Sequence, residues 1–109
     1  MFKVIANPTF AHDVEVQVPV DGGYESHKLR TRFRVADFDE LTGFNLTTAA
    51  EQTAYVERIV EGFENVVEDA GEPLAMNDGL RRRLLGMPFV RAAVMRAYEA
   101  AMTGARTKN

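Results

Sequence analysis

The side chains of this sequence that could do covalent chemistry are few, and their spacing limits what they can do. Ser26 is the only serine, and His27 follows it directly. A hydroxyl activated by an imidazole needs both side chains on one side of the backbone. Neighbours on a strand point to opposite faces, so this pair is not expected to act as nucleophile and base. His12 is the other imidazole, and neither histidine has a third ligand at a recognised spacing, so no metal site is expected. Cysteine is absent, which removes disulfides, thiolate metal sites and a thiol nucleophile. Glu57, Glu61, Glu64, Glu68, Asp69 and Glu72 are dense but lack the ordered spacing of a calcium loop, and read as a solvated helix face and loop. No glycine-rich phosphate cradle is present, since "DGGY" reads as a hairpin turn and "GEPLAMNDG" matches no nucleotide-binding pattern. No cofactor is expected, and binding rather than catalysis becomes the leading class.

Two patterns could bind a partner. In "KLRTRFRV", Lys28, Arg30, Arg32 and Arg34 fall on every second position, so on a strand they share one face while Leu29, Thr31, Phe33 and Val35 share the other. That stripe reads first as the wet face of an antiparallel sheet, paired across a hairpin with Glu15 and other acids. An acidic protein partner is a second reading. A β-ribbon in a DNA groove is a third, weakened because no aromatic is interleaved among the cations and the net charge is −3. The other pattern lies near the end of the chain. At about 100° per residue, Val90, Ala93, Val94, Ala97 and Ala101 make a narrow stripe suited to close packing. Met95, Tyr98 and Met102 make a second stripe beside it, expected either to join the core or to meet a client or another copy of the chain, because methionines repack around varied apolar surfaces.

These residues need elements to position them. Val14, Val16, Val18 and Val20 alternate with Glu15, Gln17 and Pro19, which predicts a strand with one buried face, at a sheet edge or bulged because Pro19 cannot donate to a ladder. "DGGYES" predicts the turn, and Lys28 to Val35 the antiparallel return. "FKVIA" is a candidate third strand. Asp37 is a candidate cap for a short helix ending near Gly43. Thr48 and Glu51 have capping-box spacing before a helix whose apolar face is Val56, Ile59, Val60 and Phe63. Asn77 caps a third helix with Leu80, Leu84 and Leu85; Gly86 ends it, Pro88 opens a fourth, and that helix runs to about Thr103 before Gly104. The expected fold class is α+β: a hairpin or small sheet in residues 1–35 packed on about four helices in 36–103, with 104–109 a flexible polar tail, all in one domain.

Composition agrees with such a domain: 109 residues, 46% hydrophobic and 27% charged, close to the globular average. No apolar run is long enough to span a membrane, and "MFKVIANPTF" lacks the apolar core of a signal peptide, so a soluble cytoplasmic protein is expected.

From Gly62 to Asn109 the chain resembles the C-terminal half of the tail assembly chaperones of long-tailed bacteriophages. In that family an aromatic follows a glycine near the end of a helix, and an acidic turn D-x-x-G-x-P-[LV] leads to a capped helix; Gly62, Phe63, Asp69, Gly71, Pro73, Leu74 and Asn77 match in order. A leucine-rich short helix, a proline, an alanine-rich helix with a tyrosine and a Lys-Asn ending follow in the family, and here Leu84, Leu85, Pro88, Ala93, Ala97, Tyr98, Lys108 and Asn109 take those places. The N-terminal hairpin is similar in kind. Phe63 departs from the usual tryptophan and Met76 from a common phenylalanine, both staying apolar.

The resemblance implies a non-enzymatic protein of the bacterial host's cytoplasm that binds the tape-measure protein during tail assembly and leaves before the virion is complete. It adds the major tail-tube protein as a second partner, recruited in the family through a frameshifted extension that here would begin at "ARTKN". Met95, Tyr98, Met102, Phe63, Lys28, Arg30, Arg32 and Arg34 are the candidate partner-binding residues. Neither nucleic acid nor membrane is an expected partner. The rival readings are a structural tail connector or completion protein, and a small nucleic-acid-binding regulator.

Overall fold

A computed structural model describes residues 1–104; the expectation of a flexible tail, apart from Gly104, falls on Ala105–Asn109 and lies outside the described residues. The valine alternation forms strand β1 (Thr9–Val20), and strand β2 (Gly23–Arg34) returns beside it from Val20↔Gly23 to Thr9↔Arg34. Asp21 and Gly22 alone make the reversal. Gly22 stands at φ +78°, a conformation that glycine adopts without steric penalty, and the return strand therefore starts at Gly23, five residues earlier than expected. Pro19 sits near the hairpin tip of β1, an edge strand, where its missing donor is tolerated.

The third strand is not "FKVIA", which takes no strand pairing; it is β3 (Val60–Glu64), antiparallel to β2 in the order β1-β2-β3. The helix expected to run through Phe63 ends at Ile59 instead. The misreading has a physical cause. Thr31 pairs with Phe63 and Arg32 with Gly62, but Phe33 pairs with Val60, so Glu61 is an extra residue in a β-bulge. The bulge turns Val60 and Phe63 to the same inner face despite their three-residue spacing, and both are buried. An i, i+3 pattern that looks helical is thus met by an irregular strand. The segment expected to hold the helices, 36–103, also contains this strand, and the class is α+β with a three-stranded sheet.

The helices begin where their caps predict. Asp37 and Glu40 form a reciprocal capping box on α1 (Phe38–Leu41), with the Asp37 N–H donating to Glu40 Oε1 over 3.1 Å. Thr48 Oγ1 accepts from the Glu51 N–H at the start of α2 (Ala49–Ile59). Asn77 Oδ1 accepts from the Leu80 N–H over 2.9 Å at the start of α3 (Asp78–Leu85). Pro88 opens α4 (Pro88–Thr103), and Gly104 closes it at φ +72°.

One face of the sheet carries Val14, Val16, Thr31, Phe33, Val60 and Phe63 against Val90, Ala93, Val94, Ala97 and Tyr98 of α4 and Val56 and Ile59 of α2. Burying each of these larger aliphatic or aromatic side chains contributes about 1.5–3 kcal/mol. A row of rings knits the layers: Phe10 to Phe33 at 5.2 Å between centroids, Phe33 to Tyr98 at 5.7 Å, Tyr98 to Tyr55 at 6.5 Å and Tyr55 to Phe44 at 6.0 Å. Polar groups caught in this layer have partners. The Ala36 N–H donates to Tyr98 Oη over 3.1 Å, and the Thr31 hydroxyl to the Leu29 carbonyl over 3.0 Å. Burial, with Tyr98 and Glu99 adding to it, raises the Tyr55 phenol above its ordinary value of 10.0.

Candidate partner-binding surfaces

The basic stripe lies on the outer face of the central strand, with acids on both sides of it. Arg30 reaches Asp13 on β1 at 3.5 Å and Glu64 on β3 at 3.7 Å; Arg32 reaches the same Glu64 at 3.8 Å and donates to Thr9 Oγ1 at 3.3 Å. Arg34 donates to the Arg58 carbonyl, and Lys28 stands opposite Glu15, whose carboxylate accepts from Ser26 Oγ. Each exposed pair contributes at most about 1 kcal/mol. Their combined effect is to offset much of the stripe's charge, with Asp13 and Glu15 on β1 and Glu64 on β3 flanking the four cations of β2.

The second stripe is divided by depth. Tyr98 is 1% exposed and Phe63 3%, so both belong to the core and are unavailable to a partner, which corrects their assignment as contact residues. Phe63 faces inward because of the bulge, and Tyr98 because its ring fills the space between Phe33 and Tyr55 while its hydroxyl holds Ala36. Met102 is 43% exposed near the end of α4. Met95 is half-buried and lines a shallow groove of about 470 Å³ with Gln52, Pro88, Arg91, Ala92 and Glu99.

A larger groove, about 660 Å³, was not expected from the sequence. It lies between α3 and the turn that precedes it. Asn65, at φ +60°, ends β3; the Leu74 N–H donates to the Val66 carbonyl and Val67 pairs with Pro73; the Glu68 N–H donates to the Glu72 carbonyl around Gly71, at φ +90°. This closed turn holds Val66 and Leu74 opposite Leu80, Leu84 and Met87, with Val67, Glu68, Asp69 and Arg83 around the opening. Val67 is 55% exposed there. The signal was present in the sequence: in α3, Leu80 and Leu84 are one turn apart, while Leu85, the next residue round, takes the buried place. Such an arrangement can hold apolar side chains of a partner segment while charged groups flank it.

Arg81 braces this region. It donates to the carbonyls of Glu57 and Val60, both at 3.3 Å, where α2 turns into β3 and leaves carbonyls without helical partners. Arg91 joins α3 to α4 through the Leu85 carbonyl at 2.9 Å. Among the described residues, no three His, Cys, Asp or Glu side chains gather to hold a metal ion, and no helix is long and apolar enough to cross a membrane. Compared with protein-family models, curated proteins and solved structures, the chain matches none.

Proposed function

We propose that the chain is a tail assembly chaperone of a long-tailed bacteriophage, non-enzymatic and acting in the cytoplasm of the bacterial host. In this reading it binds the tape-measure protein during assembly and is not retained in the virion. One observation carries the proposal: six of the residues behind the family resemblance lie at the larger groove. Asp69, Leu74 and Leu84 line it, Gly71 and Pro73 shape its turn, and Asn77 starts the helix that forms its other wall.

An unassembled tape-measure chain exposes long apolar helical faces that would otherwise associate with one another. An amphipathic helix laid into a groove by residues one turn apart is a known mode of recognition, and Leu74, Leu80, Leu84 and Met87 offer it an apolar floor. The major tail-tube protein is the second partner in this reading. The acids that flank the arginine face offset much of its charge, which favours a protein partner over a nucleic acid.

Co-expression with the tape-measure protein encoded in the same genome tests the proposal. A soluble complex of defined mass on size exclusion with light scattering is the expected result. Precipitation of the tape-measure protein while this chain elutes alone would overturn it, and recovery of the chain from purified virions would favour a structural tail component.

A further inference from the structure

Residues 1–5 are the most exposed apolar segment among the described residues. Met1, Phe2, Val4 and Ile5 are 117%, 92%, 93% and 66% exposed, and the segment takes no strand pairing. Its composition nevertheless suits a strand, with Phe, Val and Ile and a single charge at Lys3. It adjoins an unused template. Among the described residues β1 is hydrogen-bonded to β2 alone, so its other edge offers up to 12 residues of backbone, and exposed edges of that length invite pairing with another chain.

We infer that residues 1–5 form an arm that adds as an extra strand to the outer edge of β1 in a second copy of this chain, reciprocally, giving a two-fold dimer. The link between arm and body favours a second copy over the chain's own edge. The Pro8 carbonyl accepts from the Val35 N–H at 3.0 Å, which holds residue 8 toward β2. Asn7 stands at φ +49° directly before Pro8, whose ring disfavours α-type backbone in the residue it follows. Folding the arm back onto its own β1 would need a tight reversal at this strained link, whereas reaching a neighbour needs none, and strained hinges promote exchange.

Side-chain chemistry is complementary as well. When Phe2 and Val4 extend the inner face beside His12 and Val14, alternation puts Lys3 on the outer face of β1 beside Asp13 and near Glu15. Reciprocal exchange closes on itself because each arm is spent on the copy that supplies the other, so a dimer rather than a filament is the product.

Light scattering on the full chain, measured across a concentration series, tests the inference together with Val4→Pro. Proline cannot donate to a ladder, and Val4 is exposed, so this variant leaves the body of the fold intact. The expected results are a concentration-dependent species of twice 12.2 kDa for the wild-type chain and a monomer for Val4→Pro, with both chains melting at the same temperature at high dilution. A wild-type chain that stays monomeric at every concentration, or a dimer that persists in Val4→Pro, would overturn the inference. Neither outcome depends on whether a tape-measure protein is bound.

Discussion

Tyr98 serves two purposes in one side chain: its ring occupies the centre of the aromatic row, and its hydroxyl accepts from a backbone N–H 62 positions earlier. Tyr98→Phe keeps the ring and leaves the Ala36 N–H buried without a partner, so equilibrium urea unfolding is expected to show a loss of about 1–3 kcal/mol. A loss near zero would mean that water reaches Ala36. Periodicity correctly placed Val90, Ala93, Val94 and Ala97 on a packing stripe, because helical spacing fixes which residues share a face. It could not decide between Tyr98 and Met102 on the adjoining stripe. That choice depends on how far the sheet extends under α4, and on a hydrogen bond to a residue remote in sequence.

The same contrast separates the elements. Caps and turns act through neighbouring residues, so Asp37, Thr48, Asn77, Pro88 and Gly104 are readable locally and stand where expected. β3 is not readable in that way. Its bulge at Glu61 exists only in register with β2, roughly thirty residues earlier, and it gives Val60 and Phe63 the spacing of a helix. Two glycines, one in this strand and one in the α1–α2 loop, test the account. A Cβ on Gly62 would lie 3.3 Å from Met76 Cγ, whereas one on Gly43 would meet open space at an ordinary φ. Gly62→Val is therefore expected to cost about 1–3 kcal/mol through overpacking. Gly43→Ala is expected to be neutral or to stabilise by up to about 1 kcal/mol, by reducing the freedom of the unfolded chain. Thermal melts of the two variants side by side check both signs.

Across the whole molecule, the hairpin, the helices and their packing as α+β followed from alternation, period and capping, and the structure has them. The groove did not follow, because it is assembled from two segments that meet only after the turn at Gly71 closes. Val67 gives direct access to it: its side chain sits at the opening and is largely exposed, so charge can be introduced there with little cost to the core. The decisive measurement is the amount of tape-measure protein held in solution by the wild-type chain and by Val67→Glu, compared at equal melting temperature. A soluble complex with the wild type that is lost or strongly reduced with Val67→Glu is the predicted result. Equal retention by the two chains would contradict a client site at this groove.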